Sequence, residues 1–252
     1  MKLNYKKIGN GRPLIIIHGL FGSLDNWGAL GKRFSEKYTV YLADLRNHGR
    51  SPHHPEMNYD VMAMDVNELI QNEKIERPIL LGHSMGGKTA LNFVNNHPGV
   101  IDQLIIADIG TKAYKMHHDQ ITKGLLNINL NKVKSRNEAL QFLSEYVKEI
   151  GIQQFLLKNL YWIEKGKLSW RMNLPVIIDN MHEIIKEIKI TKNKTNTLFL
   201  RGGRSNYILE EDLNDLHVKF PNSKINTINN VGHWLHAENP NEFYNQIVNF
   251  IK

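Results

Sequence analysis

Apolar residues fall in two rhythms along the chain. Leu14-Ile15-Ile16-Ile17, Tyr38 to Ala43, Pro78 to Leu81 and Leu104 to Ala107 are short, largely unbroken apolar runs rich in β-branched residues. Such runs suit strands buried on both faces of a parallel sheet. Between them lie helical spacings. Tyr59 to Asn72 sets Val61, Met62, Val66, Leu69 and Ile70 on one face, and Met85 to Asn96 does so with Ala90, Leu91 and Val94. Strand–helix alternation predicts βαβ units and an α/β sheet with helices on both faces.

The rhythm changes after Asp108. From Thr111 to about Asn193 the pattern predicts helices and no strands, over 116–127, 152–163 and 173–189, with another helix opening at Ser135. Ser135 and Glu138 have capping-box spacing. Leu140, Leu143, Val147 and Ile150 then form an apolar stripe, and Gly151 stands where a C′ residue belongs. Strands resume at Thr197 to Leu200 and Ile225 to Ile228. A last helix starts at Pro240, with Asn239 as N-cap and Glu242 at N3, and buries Phe243, Ile247 and Phe250. The expected organisation is a core of residues 1–110 and 194–252, interrupted by a helical insertion at 111–193. Lys189 to Asn196 reads as a connecting loop, and no internal repeat is visible.

The absence of Cys among 252 residues excludes disulfides, thiolate metal sites and a Cys nucleophile. Met1 to Lys7 lacks the apolar stretch of a signal peptide, and no apolar run approaches the roughly 20 residues of a membrane span. A soluble, cytoplasmic protein, monomer or homodimer, is expected. The formal charge of +7 is unevenly spread: the insertion carries 14 Lys plus Arg against 8 Asp plus Glu, the remainder 18 against 17. Two readings stay open, solvated helix faces or attraction of an anionic substrate or lipid surface. Nothing but the global charge points to nucleic acid, and no nucleic-acid partner is expected.

The chemistry concentrates at Gly82-His83-Ser84-Met85-Gly86-Gly87, which follows a predicted strand and opens a predicted helix. This is G-x-S-x-G in the context that gives it meaning. A strand turning sharply into a helix holds Ser84 in a strained conformation and thrusts its hydroxyl above the strand ends. Side chains two residues away on either side would collide, so Gly82 and Gly86 are required.

On these residues the chain resembles the α/β-hydrolases over nearly its whole length. His18-Gly19-Leu20-Phe21-Gly22 matches the family's oxyanion loop, Asp44 to Ser51 resembles its D-x-R-G-x-G-x-S loop, and Gly232-His233-Trp234 matches its histidine loop. More narrowly, the chain is similar to small bacterial carboxylesterases related to mitochondrial abhydrolase-domain proteins. The resemblance implies a mostly parallel sheet with a helical cap inserted after the sixth strand.

Ser84 is then the expected nucleophile. His233 is the expected base, following the last strand in the order Ser, acid, His, with His236 as runner-up. The usual acid position after the seventh strand reads Gly202-Gly203-Arg204-Ser205, where a hydroxyl stands in place of a carboxylate. The resemblance therefore points to Asp108, at the end of the preceding strand. A loop-capping role is its alternative, and Glu210 and Asp212 are outside candidates. Ser205 is a candidate auxiliary to Asp108. Backbone N–H groups of Met85 and of Leu20 or Phe21 are the expected oxyanion donors. His18 and His83 are expected to orient backbone, and His83, Trp162, Trp170 and Trp234 are candidate substrate contacts.

The expected activity is hydrolysis of small acyl esters through an acyl-enzyme. An acyltransferase, thioesterase or C–C hydrolase on the same residues is the alternative, and a non-catalytic binding protein a third. No cofactor is expected, because Gly9-Asn10-Gly11 lacks the rest of a dinucleotide fingerprint. No metal is expected either: His53-His54 and His117-His118 have no partners at ligand spacing.

Overall fold

The computed structural model describes residues 1–116 and 119–252. His117 and His118 lie outside the described residues. In the first half, strands β1 (Tyr5–Ile8), β2 (Arg12–Ile17), β3 (Tyr38–Ala43), β4 (Ile79–His83) and β5 (Gln103–Ala107) alternate with helices α1 (Gly28–Phe34), α2 (Tyr59–Asn72) and α3 (Met85–Asn96). The insertion holds α4 (Asp119–Asn127), α5 (Arg136–Tyr146), α6 (Ile150–Leu157), the hairpin β6 (Leu160–Glu164) and β7 (Lys167–Trp170), then α7 (Leu174–Asp179) and α8 (Met181–Ile184). The chain closes with β8 (Asn196–Gly202), α9 (Leu213–Lys219), β9 (Ser223–Ile228), α10 (Leu235–Glu238) and α11 (Pro240–Phe250).

Seven strands form one sheet in the order β1-β3-β2-β4-β5-β8-β9, parallel except for β1. The apolar runs are continuous because both faces are covered. Ile15, Ile17, Leu80, Leu104, Ile106 and Phe199 pack with α2, α3 and the insertion. Their chain neighbours Leu14, Ile16, Ile79, Leu81, Ile105 and Leu198 pack on the other face with Trp27, Phe34, Phe243 and Ile247. This is the two-residue alternation of a strand, with each side chain wholly buried contributing about 1.5–3 kcal/mol.

Four details differ from the sequence expectations. The insertion follows the fifth strand of this sheet, not the sixth, because no strand precedes β1. The residues ahead of it are held otherwise: the Met1 amino group donates to Asp65 at 2.6 Å and the Asn4 side chain to Asp44 at 2.7 Å. The insertion is not purely helical, since residues predicted to end a helix at 163 form the β6–β7 hairpin. Aromatic and β-branched Tyr161, Trp162 and Ile163 favour a strand there, and Gly166 at φ +84° makes the turn. Gly151 lies inside α6 and does not cap α5, which ends at Tyr146 when Val147 turns extended. Finally, the helix predicted at 173–189 is two short helices that end at Ile184. The Ser135 and Asn239 caps occur as expected, accepting from the N–H of Glu138 at 3.1 Å and of Glu242 at 3.2 Å.

The two ends of the insertion are joined to each other by the first of three bonds, and the other two tie it to the core. Ile188 N–H donates to Thr111 O at 2.8 Å, Tyr59 Oη to Ile184 O at 2.6 Å, and Asn173 N–H to Asn47 O at 2.8 Å. No helix among the described residues is long and apolar enough to cross a membrane.

Candidate active site

Parallel strands carry their ligand sites beyond their carboxyl ends, and here three such ends converge. Ser84 and Asp108 each stand one residue past a strand, β4 and β5, and both have positive φ, +53° and +51°. Their backbones stay locked to the sheet: Ser84 N–H donates to Ala107 O at 3.1 Å, and Asp108 N–H to Leu200 O at 2.7 Å. The turn at Ser84 needs its flanking glycines. A Cβ on Gly82 would stand 2.2 Å from Gly86 O, and one on Gly86 2.5 Å from His18 O. A non-glycine residue at such φ costs of order 1–3 kcal/mol, held by the surrounding packing.

His233, in the loop after β9, joins the two. Its Nδ1–H donates to Asp108 Oδ2 at 2.7 Å, and its Nε2 accepts from Ser84 Oγ at 3.0 Å. Asp108 is fully buried. Its Oδ1 accepts from Gly202 N–H at 2.9 Å, and Ser205 Oγ donates to Oδ2. A buried carboxylate is stable only when hydrogen-bonded and charge-compensated, and these donors supply the first requirement. His233 also stacks on Tyr207, with centroids 3.8 Å apart and rings 16° from parallel. An imidazolium formed there would lie on an aromatic face, a favourable arrangement for a cation.

The neighbouring histidines are scaffolding. His83 Nε2–H donates to His233 O at 2.9 Å, which fixes the histidine loop over β4. His18 accepts from Leu45 N–H at 3.0 Å and donates to Gly19 O at 2.8 Å, and His48 accepts from Phe21 N–H at 3.2 Å. Burial pushes His18 down to about 4, His48 and His236 to about 3, and His83 well below the ordinary histidine value. All four are therefore neutral near pH 7. His236, the alternative base, stacks on Trp27 at 4.4 Å, and Ser84 is bonded to His233 instead.

The oxyanion expectation is corrected at one position. Phe21 N–H is engaged by His48, so it does not point at a reacting oxygen. The N–H of Met85 is the first of α3, without an intrahelical acceptor, and the N–H of Leu20 has no acceptor among the described residues. Phe21 instead ties the oxyanion loop to the insertion, its carbonyl accepting from Asn159 Nδ2 at 2.7 Å.

A cavity of about 950 Å³ opens over Ser84. Its walls come from the core loops, with Leu20, His83, His233 and Trp234, and from the insertion, with Ile121, Tyr146, Phe155 and Leu156. Trp234 packs against Phe155 at 5.0 Å, linking the histidine loop to α6. Two proposed substrate contacts lie elsewhere. Trp162 is exposed on the hairpin, and Trp170 packs against the core cluster; neither lines the cavity. Glu210 pairs with Arg201 and Asp212 with Lys112, away from His233. Among the described residues no group of three or more His, Asp or Glu is arranged to hold a metal ion.

Sequence reasoning missed Tyr207, Asn159 and Lys88. Lys88 is buried on α3, where its ammonium donates to the carbonyls of Lys112, at 2.8 Å, and Lys186. Burial pushes it down to about 7, opposed by the charge of Glu187; the ring of Tyr114 lies 4.8 Å from the ammonium.

A model of the alpha/beta hydrolase fold family matches residues 12–240. Esterase YbfF of Escherichia coli is 35% identical, over 92% of this chain and 89% of the relative. The sn-1-specific diacylglycerol lipase ABHD11 of Danio rerio is 34% identical, over 97% of this chain and 80% of the relative. The solved structure of a marine microorganism esterase superposes with a TM-score of 0.95 at 38% identity, covering 99% of both chains. With a strand-turn-helix serine, a seven-stranded sheet parallel but for one edge strand, and a family model spanning nearly its full length, this chain belongs to the alpha/beta hydrolase fold family.

Proposed function

We propose that this protein is a serine esterase that hydrolyses small carboxylic esters through Ser84, His233 and Asp108. One observation carries the reading: an unbroken hydrogen-bonded chain, Ser84 Oγ to His233 to buried Asp108, opens onto a largely apolar cavity. The esterase and lipase names of relatives similar over most of the chain support the same class.

In this mechanism His233 Nε2 takes the Ser84 proton as Oγ attacks the ester carbonyl. Asp108 holds the imidazole with Nδ1 protonated and balances the imidazolium. The N–H groups of Leu20 and Met85 receive the oxyanion, where losing one donor typically costs about 100- to 1,000-fold in rate. The proton then passes to the leaving alcohol, and water, activated by His233, hydrolyses the acyl-enzyme. Ser205 supports Asp108 by donating to the same oxygen that faces His233. Residues 111–193 act as the cap that walls the cavity. Lys148 and Lys158 in that wall are matched by Glu149 and Glu238, which suits a neutral ester better than an anionic one.

Hydrolysis of p-nitrophenyl acetate by the purified protein tests the reading. Ser84→Ala is expected to reduce turnover to background with an unchanged melting temperature, and retained turnover would refute Ser84 as the nucleophile.

A further inference from the structure

Two cavities meet at Ser84, and they are very unequal. The large one measures about 950 Å³. The second measures about 30 Å³ and lies behind Ser84, bounded by Met85, Ile109, Ile184, Lys88 and Tyr114. Leu20, Ser84 and Tyr207 border both, whereas His233 borders only the large one.

That asymmetry orients a substrate. In the serine-esterase reading, on which this inference rests, the attacked carbon carries Ser84 Oγ, the oxyanion, the leaving oxygen and the acyl substituent. The oxyanion faces the N–H groups of Leu20 and Met85. The leaving oxygen must lie within reach of His233 Nε2, because that nitrogen delivers its proton. His233 faces the large cavity, so the alcohol extends there. The remaining direction, for the acyl substituent, is the small cavity. We infer that the pocket behind Ser84 is the acyl subsite, and that it restricts the protein to esters of short acids, about two to three carbons long, joined to bulky alcohols.

The volume sets the length. A water-sized occupant needs about 10–15 Å³, so this pocket accepts roughly two such groups, the methyl or ethyl beyond a carbonyl. Its walls are anchored. Met85, Ile109 and Ile184 are buried in the main core cluster. Lys88, in the same wall, is fastened to the carbonyls of Lys112 and Lys186. Tyr114 Oη accepts from Gly110 N–H at 2.8 Å and donates to Tyr207 O at 2.9 Å. A longer acyl chain must displace packed, hydrogen-bonded groups, and overpacking of this kind lowers the rate roughly five- to hundredfold. The turnover balances simply. The Ser84 Oγ–acyl bond forms as the acyl–alcohol bond breaks, and the alcohol leaves with the proton from His233. Water then supplies the oxygen of the released short acid and restores the Ser84 proton.

The test is kcat/KM for p-nitrophenyl acetate, propionate, butyrate, hexanoate and octanoate, beside phenyl and 2-naphthyl acetates. The expected profile peaks at acetate or propionate and falls about tenfold or more by hexanoate, with no penalty for naphthyl over phenyl. Ile184→Ala, and more mildly Ile184→Val, should raise the hexanoate-to-acetate ratio. A profile peaking at hexanoate or octanoate, in a protein whose activity Ser84→Ala abolishes, overturns the acyl assignment and leaves the nucleophile standing. An unchanged ratio in a folded Ile184→Ala protein also overturns it. If neither variant folds, the wild-type profile decides. Activity that survives Ser84→Ala, or no turnover of any ester, removes the serine-esterase reading and the subsite with it.

Discussion

Asp108→Asn isolates the contribution of one buried charge. The carboxylate sits 2.7 Å from His233 Nδ1, fully buried, and holds donors from Gly202 and Ser205. When Ser84 attacks, His233 becomes cationic beside it. Two unit charges whose centres are about 4 Å apart attract by about 4 kcal/mol at an effective dielectric of 20, which is roughly a thousandfold in rate. The amide also loses one acceptor position. Turning its NH₂ towards Nδ1 would favour the wrong tautomer of His233, so the total loss should reach on the order of 10³- to 10⁴-fold in kcat/KM. The assay is p-nitrophenyl acetate hydrolysis, with circular dichroism melting to verify the fold. Asp212→Asn is the control, since its carboxylate pairs with Lys112 and the N–H of Leu209, and it should cost only a few-fold. A folded Asp108→Asn protein that keeps more than about a tenth of wild-type activity would refute the reasoning, as would a larger loss from Asp212→Asn.

Three other outcomes follow from the same geometry. Gly82→Ala would push a methyl to 2.2 Å from the carbonyl of Gly86, so it should destabilise by about 3 kcal/mol or more, read as a fall in the urea midpoint; an unchanged midpoint would contradict the close approach. His18, His48 and His236 are buried neutral, with values of about 4, 3 and 3. Their contribution is fully present above pH 6.5 and is lost as pH falls towards those values, because the unfolded chain binds the protons first. The slope approaches about 1.4 kcal/mol per histidine per pH unit only below pH 6.5, where the unfolded imidazole is half protonated, so lowering the pH from 6.5 to 5 should remove roughly 5 kcal/mol, measured by urea titration at both pH values; equal stability would exclude neutral burial. Ser205→Ala removes one donor from Asp108 but leaves the carboxylate facing His233. Activity should stay within about tenfold of wild type. A loss as large as that of Asp108→Asn would make Ser205 an equal partner.

The sheet was legible because its rows are apolar on both faces. Leu14 to Ile17 and Leu104 to Ala107 could be nothing but interior strands once helical stretches separated them. Ser84 and His233 were legible from local backbone requirements, a glycine-flanked turn and a loop after the last strand. Asp108 depended on family resemblance, since one carboxylate at a strand end carries no signature of what it faces. The hairpin at Leu160–Trp170 was hidden because its residues fit the end of an amphipathic helix equally well, and its partner strand supplies the deciding hydrogen bonds. Tyr207 and Lys88 were invisible for a related reason. Their roles arise from contacts with His233, Lys112 and Lys186, remote in sequence. The Phe21 amide could not be ruled out as an oxyanion donor without locating His48, its acceptor.

Everything proposed for the site depends on Ser84 forming the bond to the acyl group. Treating the protein with a fluorophosphonate and mapping the modified peptide by tandem mass spectrometry tests this directly. One adduct per chain is expected, on Ser84, and its formation should be lost in Ser84→Ala and much slowed in His233→Ala. An adduct on any other residue, or ester hydrolysis that persists at full rate in the Ser84-modified protein, would contradict it.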